Sequence, residues 1–185
     1  MILFNLANDS SDLQGILDLQ KANLKTELTA ENIEKEGFVT VLHTYDELYQ
    51  LNAIEKHTVA KVGETVVGYA LAMTKKSKND ILVLAPMFDL FSSLVYKKKL
   101  VSQYNYIVVG QVCVAKNYRG QGVFDGLYEN YKLHHQKNYA FAITEIAITN
   151  VRSRKAHQRI GFKEIHFFTD CNGIEWVIVV LDFKS

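Results

Sequence analysis

The sequence predicts a single α/β (α+β) domain, and three consecutive features near its middle carry this prediction. Residues 107–114 form a nearly unbroken apolar run, which is typical of a strand buried on both faces. Residues 119–122 read Arg-Gly-Gln-Gly, a composition that favours a tight turn. From Val123 onward, apolar residues recur at helical spacing. The length of 185 residues suits one domain with a sizeable core, so we expect it to span residues 1–185.

The remaining elements follow from local patterns on either side of this centre. N-cap residues at 8–10 begin one helix, Thr44 begins another, and Gly63-Glu64 marks a hairpin. Before the centre we therefore expect strands at about 2–6, 57–62 and 65–73 and helices at about 10–24, 29–37 and 44–54. After it we expect a strand at 141–148, a short helix at 150–160 ending at Gly161, and a closing hairpin of strands 162–169 and 175–183.

Composition and charge narrow the classes of partner. The formal net charge of +1 gives no electrostatic case for a nucleic acid or a membrane as partner. No apolar run reaches the roughly 18 residues that a membrane span needs, and the N-terminus lacks the pattern of a signal peptide. Cys113 and Cys171 lie in strand-like segments without metal-ligand spacing, so we expect reduced core thiols, no metal and a cytoplasmic location. One disulfide is also compatible with the sequence.

The turn at 119–122 is compatible with several functions. No Ser, Thr, Asp or Asn stands immediately before the following helix to cap its amides, and glycine lets a phosphate approach the backbone closely. A plain strand-to-helix connection is the simplest interpretation. A Rossmann turn fits less well because the third glycine, Gly126, comes one place late. A Walker P-loop fails because no Gly-Lys-Ser/Thr follows.

A further interpretation of this turn fits best. The pattern Asn117-x-x-Gly120-x-Gly122, preceded by Val112 and Val114, resembles the acyl-CoA-binding motif Gln/Arg-x-x-Gly-x-Gly/Ala of the GNAT acetyltransferases. Asn117 departs from the usual Gln or Arg, while the Arg-Gly-x-Gly form is kept.

A second motif strengthens the resemblance. Residues 150–162 resemble the family pattern Asn-x-x-Ala-x-x-x-Tyr-x-x-x-Gly-Phe. Ser153 stands at the small position, and His157 stands where the family usually has Tyr. The order and the spacing of the two motifs both fit, and together they cover roughly residues 106–168.

The resemblance implies a fold and a co-substrate. The implied fold is the GNAT acyl-CoA N-acyltransferase fold, a mixed, mostly antiparallel central sheet with splayed strands, flanked by helices. The implied co-substrate is acetyl-CoA, with its pyrophosphate on the turn and its pantetheine arm along the central strand. The residues expected to bind it are Val112, Cys113, Val114, Arg119, Gly120, Gln121, Gly122, Val123, Phe124, Asn150, Ser153 and His157.

Candidate groups for the acid and the oxyanion donor follow from the same resemblance. A backbone N–H near Val112 or Cys113 is the expected oxyanion donor. His157 is the candidate acid that protonates the departing CoA thiolate, and a surface or phosphate-neighbouring role is its alternative. Tyr118 and Tyr128 are further candidates for that proton transfer.

The base is where the sequence departs most from the family. Many members place a Glu near the end of the central strand, but this chain has Gly110 and Gln111 there. Glu145 on the following strand is therefore the candidate base, with a structural ion pair as its alternative.

The implied function is N-acetyl transfer from acetyl-CoA to a primary amine by direct attack. The acceptor is a small molecule or a peptide, and no acidic or aromatic constellation identifies it. A catalytically weak CoA-binding regulatory or sensory module is the alternative, because the usual Tyr and Glu are missing. A nucleotide- or phosphate-binding protein is a third interpretation.

Residues 83–100 are the most distinctive stretch outside the motifs. They concentrate large apolar side chains, including Met87, Phe88 and Phe91, in a connection that is short in a minimal GNAT fold. We therefore expect an extra helical insertion at about 80–102. It could add a core helix, form a wall over the acceptor site, or present the surface of a homodimer.

Overall fold

A computed structural model of the protein describes residues 1–27, 38–80 and 85–184. Its strands are β1 (Leu3–Leu6), β2 (Thr58–Val62), β3 (Thr65–Met73), β4 (Val95–Tyr96), β5 (Lys99–Leu100), β6 (Ile107–Val114), β7 (Phe141–Ala147), β8 (Lys163–Thr169) and β9 (Glu175–Asp182). Its α-helices are α1 (Ser10–Asn23), α2 (Tyr45–Ile54), α3 (Ser77–Asp80), α4 (Ala85–Ser93), α5 (Val123–His135) and α6 (Val151–Arg159). Within these described residues, no helix is long and apolar enough to cross a membrane.

The described residues form one seven-stranded sheet in the order β1-β2-β3-β6-β7-β9-β8. Every neighbouring pair in this sheet is antiparallel except β6 and β7, which are parallel. These two strands pair only at Ile107 with Ala142 and at Val108 with Ile143. Beyond these pairs they separate and leave a cleft at their carboxyl ends. The expected mixed, mostly antiparallel sheet with splayed strands is therefore confirmed.

Alternate residues of β6 point into two hydrophobic cores, because successive side chains of a strand face opposite sides of a sheet. Val108 belongs to the core beneath α1, α2 and α4, whereas Ile107 and Val109 belong to the core beneath α5. Tyr131 of α5 is fully buried, and its hydroxyl donates to the Val108 carbonyl at 3.0 Å. Helices cover both faces, which explains the nearly unbroken apolar run of β6.

Helix boundaries follow the capping signals in the sequence. The Asp9 side chain accepts from a backbone amide in the first turn of α1, and Thr44 and Glu47 form a capping box at the start of α2. Gly161 has a φ of +103° just past the end of α6, which is the conformation that favours glycine at this position. The helix expected at 29–37 lies outside the described residues.

The distinctive apolar stretch forms a helix followed by a hairpin rather than a helix throughout. Phe88 and Phe91 of α4 are buried in the core. The chain then passes through the β4–β5 hairpin, where Lys97 and Lys98 have positive φ angles of 46° and 66°. The extra helix is therefore present, and the interpretation of residues 80–102 as an insertion stays a prediction.

The two cysteines lie in different environments. Cys113 is buried in β6, as expected, whereas Cys171 is exposed in the turn between β8 and β9. The prediction of a strand-borne core thiol was therefore wrong for Cys171, because β8 ends at Thr169 and a tight turn follows from Asp170. Both cysteines are free thiols.

His57 makes folding stability depend on pH. It is fully buried, and its Nδ1 accepts from the Ala72 amide at 3.0 Å. Burial, more than the nearby positive charges, lowers the pKa of His57 to about 3. The unfolded chain has a pKa near ~6.5, so only the unfolded chain gains this proton as the pH falls below ~6.5. The stability that neutral His57 supplies is complete above that pH and is lost progressively toward acid.

We expect the urea midpoint of unfolding to fall between about pH 7 and pH 4, and to fall less steeply in His57→Asn. The asparagine Oδ1 can accept the same Ala72 amide without carrying an ionisable ring. Urea denaturation of both proteins across this range measures the two slopes. Equal slopes would remove His57 as a source of acid sensitivity.

Candidate functional site

Two adjoining cavities open at the carboxyl ends of β6 and β7, where these strands have separated. The larger cavity has a volume of about 440 Å³ and lies against the turn before α5 and the first turns of α5 and α6. The smaller cavity, of about 90 Å³, lies between β6, β7 and β9. Both are lined by Phe38, Val39, Val112, Asn150 and Ser153, so the two cavities meet along a shared wall.

The turn before α5 forms one end of the larger cavity and has a backbone that glycine adopts most easily. Gly120 and Gly122 have φ angles of +74° and +78°, and a Cβ at either position would project into open space. Gly122 is the N-cap of α5, and no side chain caps this helix. The Gly126 amide makes the first helical bond, to the Gly122 carbonyl at 3.0 Å, so the amides of residues 123–125 lack a partner within the helix. Free amides and the positive end of the helix dipole together favour an anion here.

Arg119 braces this turn against α1 and β6. Its Nε donates to the Val114 carbonyl at 2.9 Å, and its Nη2 donates to Asn23 Oδ1 at 2.5 Å. Its backbone amide donates to the Lys116 carbonyl at 3.3 Å. The guanidinium lines the larger cavity, but the contacts it makes fix the position of the turn.

Along the edge of β6 that faces the cleft, the backbone amide of every second residue points into the cleft. The Ala115 amide donates to the Val67 carbonyl of β3 at 2.9 Å, and Cys113 pairs with β3 two residues earlier. Hydrogen-bonded pairs alternate in an antiparallel ladder, so the Cys113 amide points toward β3 and those of Val112 and Val114 point toward the cleft. This alternation favours Val112 over Cys113 as a backbone donor in the cleft. Burial raises the pKa of the Cys113 thiol to about 11, so the side chain is a neutral thiol near pH ~7.

Asn150 connects α6 to the loop that walls both cavities. Its Oδ1 accepts from the Ser153 amide at 3.3 Å as the N-cap of α6, and its Nδ2 donates to the Phe38 carbonyl at 3.2 Å. The same loop is bound to β6 by Gln111, whose Nε2 donates to the Val41 carbonyl at 2.8 Å. The wall is therefore held from both sides of the cleft.

His157 is buried, and both of its ring nitrogens are hydrogen-bonded. Nδ1 lies 2.8 Å from the Ser153 carbonyl, which can only accept, so we assign the hydrogen to Nδ1. Nε2 then accepts from the Tyr128 hydroxyl at 2.7 Å. Burial lowers the pKa of His157 to about 4 despite the bond to Ser153. The side chain reaches the smaller cavity, but the imidazolium expected of a proton donor is scarce at neutral pH.

Glu145 places a carboxyl group in the smaller cavity. Burial, and after it the negative charge of Asp170, raise the pKa of Glu145 to about 7. Within the described part of the chain, no ion pair or hydrogen bond holds this carboxyl group, so the structural ion pair considered as its alternative role is not found there. A carboxyl group with this pKa exchanges protons near neutral pH and can serve as a general base.

Arginines lie at the α6 side of the larger cavity. Arg152 is on its wall, and Arg159 is at its rim. The Arg159 guanidinium donates to both carboxylate oxygens of Asp125, at 2.6 and 2.7 Å. This bidentate pair offsets the negative charge of Asp125 in the first turn of α5, where it would otherwise oppose an anion.

The structure brings nearly all of the predicted site residues together. Val112, Cys113, Val114, Arg119, Gly120, Gly122, Val123, Phe124, Asn150 and Ser153 line the larger cavity, and Glu145 and His157 line the smaller one. Gln121 lines neither, because its side chain folds back and donates to the Asn117 carbonyl at 2.7 Å. The roles assigned to these residues stay predictions.

Several cavity-lining residues were missed in the sequence, and some of them belong to distant parts of the chain. Asn23, Phe38, Val39 and Trp176 lie far from both motifs and reach the site through a loop or through the register of the sheet. The one available signal was the single tryptophan of the chain at the start of the last strand. Conversely, no described residue of 85–100 lines either cavity, which favours the core helix over the wall for that stretch.

We expect His157 to stay neutral from about pH 5.5 to pH 9, because burial opposes its charged form. In protein labelled with ¹⁵N-histidine, its ring nitrogens should keep the shifts of the Nδ1–H tautomer throughout this range. The signal missing from the His157→Gln spectrum identifies the residue. A titration with a midpoint near pH ~6.5 would restore the imidazolium as a proton donor.

Solved structures of acetyltransferases are similar to this protein over nearly its whole length. The N-acetyltransferase of Staphylococcus aureus Mu50 has a TM-score of 0.65 at 18% identity, covering 99% of each chain. The ribosomal-protein-S18-alanine N-acetyltransferase of Escherichia coli has a TM-score of 0.64 at 10% identity, covering 99% of this chain and 94% of that chain. Salmonella typhimurium yncA, solved with its cofactor acetyl-CoA, has a TM-score of 0.64 at 14% identity, covering 98% and 94%. At these identities the likeness shows the fold.

The family is shown by the sequence itself. Residues 27–162 match the model of the acetyltransferase (GNAT) family, which is well over half of the chain. A comparison with curated proteins found no match. Since the family match contains both motifs and most of the residues that line the cleft between β6 and β7, the chain belongs to the GNAT acetyltransferase family and is an acyl-CoA-dependent acetyltransferase.

Proposed function

We propose that this protein transfers an acetyl group from acetyl-CoA to a primary amine, which attacks the thioester directly. The proposal rests on one observation above the others. An open anion site on left-handed glycines lines the larger of two adjoining cavities, and a partly buried carboxyl group of raised pKa lines the smaller one. Direct transfer needs these two features together, since it must hold a phosphorylated carrier and also accept a proton from an ammonium group.

The larger cavity suits the pyrophosphate of acetyl-CoA. The free amides of residues 123–125 point to its end, and the missing side chains of Gly120 and Gly122 leave open the space that a Cβ would fill. Arg152 on the wall adds a positive charge. The bound co-substrate supplies an acetyl group activated as a thioester.

The exposed edge of β6 suits the pantetheine arm, which can pair with it as a further strand would. The amides of Val112 and Val114 face the cleft, and β7 no longer pairs with this part of β6. We assign the oxyanion-stabilising hydrogen bond to the Val112 amide rather than to that of Cys113, because only the former points into the cleft.

Glu145 is the proposed general base. It takes a proton from the acceptor ammonium, which frees the nitrogen lone pair for attack. His157 keeps α5 and α6 in place through Tyr128 and Ser153 rather than donating a proton as an imidazolium. A dedicated acid is dispensable for the departing group, because a thiol with a pKa near ~8.5 leaves as a thiolate at little cost near neutral pH. The second proton that the nitrogen loses after the attack goes to that thiolate or to water.

Replacing Gly122 with Ala should weaken acetyl-CoA binding by at least about tenfold. The new methyl group would project into the space of the pyrophosphate, and the positive φ would add strain of about 1–2 kcal/mol. Gly173→Ala is the matched control, because Gly173 has a φ of +77° with open space around it but lies in the β8–β9 turn. Calorimetry with acetyl-CoA on both folded variants measures the difference.

Equal affinity in the Gly122 and Gly173 variants would place the co-substrate elsewhere. If the Gly122 variant alone loses binding but no amine releases free CoA thiol from the wild-type protein, the alternative of a CoA-binding regulatory module is correct instead.

The Glu145→Gln variant should lose a pH-dependent limb of activity. In the wild-type protein the base must be ionised, so kcat/KM for an alkylamine acceptor should rise with pH up to a bend near pH 7, the pKa of Glu145. In Glu145→Gln this rise and this bend should both be absent. Asp170 from the β8–β9 turn is the charged group that acts on this carboxyl group, and neutral His157 from α6 lines the same cavity. The alkylamine itself titrates near pH ~10, so its own slope lies outside this window.

The same variant makes a linked prediction about stability. The raised pKa means that folded Glu145 keeps a proton between about pH 4.5 and 7 that the unfolded chain has lost, so its contribution to stability falls as pH rises to 7. Glu145→Gln should therefore have a higher melting temperature than wild type at about pH 8 and a similar one at about pH 5. For the kinetic prediction, a bend in kcat/KM near pH 7 that persists in Glu145→Gln would show that Glu145 is not the base.

A further inference from the structure

A strip of aromatic side chains extends from Glu145 across the sheet. Glu145 pairs with Ile178 and Ala147 pairs with Trp176, so Trp176 is the diagonal neighbour of Glu145 on the same face. Phe168 of β8 pairs with Trp176 and therefore continues that face. We call Trp176 and Phe168 the aromatic strip.

The indole of Trp176 is held in place at the smaller cavity. Its Nε1 donates to Asp170 Oδ2 at 3.1 Å, and Asp170 Oδ1 in turn accepts from the amides of Asn172 and Ile174, both at 2.9 Å. The turn between β8 and β9 thus orients the indole. A side chain fixed in this way presents a flat apolar wall with little loss of entropy on binding.

The charges beside this wall are negative. Glu145 has no hydrogen-bonding partner among the described residues, and Asp170 lies close enough to raise its pKa through its charge. An ammonium group placed between them reduces the electrostatic repulsion between the two carboxylates. A carboxylate on the acceptor near its amine would be repelled by both.

The smaller cavity has room for only the reacting end of a larger acceptor. The smaller cavity, at about 90 Å³, has about a fifth of the volume of the larger, at about 440 Å³. A cavity of this size holds the amine and a few neighbouring atoms, so the remainder of a larger acceptor must extend along an adjoining surface. The aromatic strip is the surface that adjoins Glu145.

We propose that Trp176 determines acceptor specificity, and that the preferred acceptor is a primary amine that carries an apolar, best an aromatic, arm and no carboxylate next to the amine. This inference rests on the proposed function, because it places the acceptor beside Glu145. It assigns Asp170 a positioning role through the indole, in addition to the negative charge that Asp170 adds near Glu145.

Binding can be measured apart from turnover because Trp176 is the single tryptophan of the chain. In the protein saturated with CoA, which cannot transfer an acetyl group, we expect phenethylamine to change the tryptophan emission in a saturable way. Ethylamine, which lacks the ring, and phenylalanine, which adds the carboxylate, should each require concentrations at least about tenfold higher.

Kinetics with acetyl-CoA then test the role of the side chain. Trp176→Leu should raise the KM for phenethylamine by about tenfold, leave kcat within about threefold, and leave ethylamine nearly unaffected. Trp176→Phe should recover part of the loss. Phe167→Leu is the matched control, because Phe167 is an exposed aromatic residue of β8 that pairs with Val177 on the opposite face of the sheet.

The outcomes separate this inference from the proposed function. Saturable emission changes without acetylation of any of the three amines would refute acetyl transfer while supporting the aromatic strip as an amine-binding surface. Acetylation with no preference for phenethylamine, or an unchanged KM in Trp176→Leu, would overturn the specificity role and leave the transfer reaction standing. An altered acetyl-CoA affinity in Trp176→Leu would also overturn it, because the strip would then serve the co-substrate.

Discussion

Strands β6 and β7 are hydrogen-bonded neighbours at only two residue pairs, and the geometry of the whole site depends on their separation after Val108 and Ile143. The separation frees one edge of β6, and it opens the two cavities between the strands. The sheet tolerates this opening because helices cover both faces of the β6–β7 pair. α5 packs beneath one face and α1, α2 and α4 beneath the other, so the cleft weakens the sheet only at its end. Asn150 and Gln111 bind the 38–41 loop across the cleft, so the opening keeps a defined wall.

The two ends of the cleft have opposite electrostatic character. At one end, the free amides at the start of α5 and Arg152 favour an anion, and Arg159 offsets Asp125, which is acidic and lines the same cavity. At the other end, Glu145 and Asp170 favour a cation. In the proposed reaction, a negatively charged carrier and a positively charged acceptor would bind at different ends and meet at the shared wall, near Val112 and Ser153. This separation is the physical basis on which one cleft can bind both substrates at once.

The sequence predicted the features that are local. The apolar run of β6, the uncapped start of α5 and the short helix α6 are each encoded within a few residues, and all appear close to where they were expected. Features that depend on long-range packing were harder to predict. Trp176 reaches the site through its register with Ala147, and Phe38 through a hydrogen bond to Asn150, contacts that no local pattern reveals.

His157 was correctly placed on the short helix, but its neutral state depends on burial beneath Tyr128 and Phe162, which a motif does not show. The apolar content of α4 was visible in the sequence, while its direction into the core was not.

The central claim is that acetyl-CoA binds with its pyrophosphate on the amides at the start of α5 and its arm along β6. The most direct test is the amide spectrum of ¹⁵N-labelled protein, recorded during titration with acetyl-CoA. This account predicts the largest shifts at Gly120, Gly122 and residues 123–125, with further shifts at Val112 and Val114 and little change in the β4–β5 hairpin. Saturable binding that leaves the Gly120 and Gly122 amides unshifted while others move would contradict it.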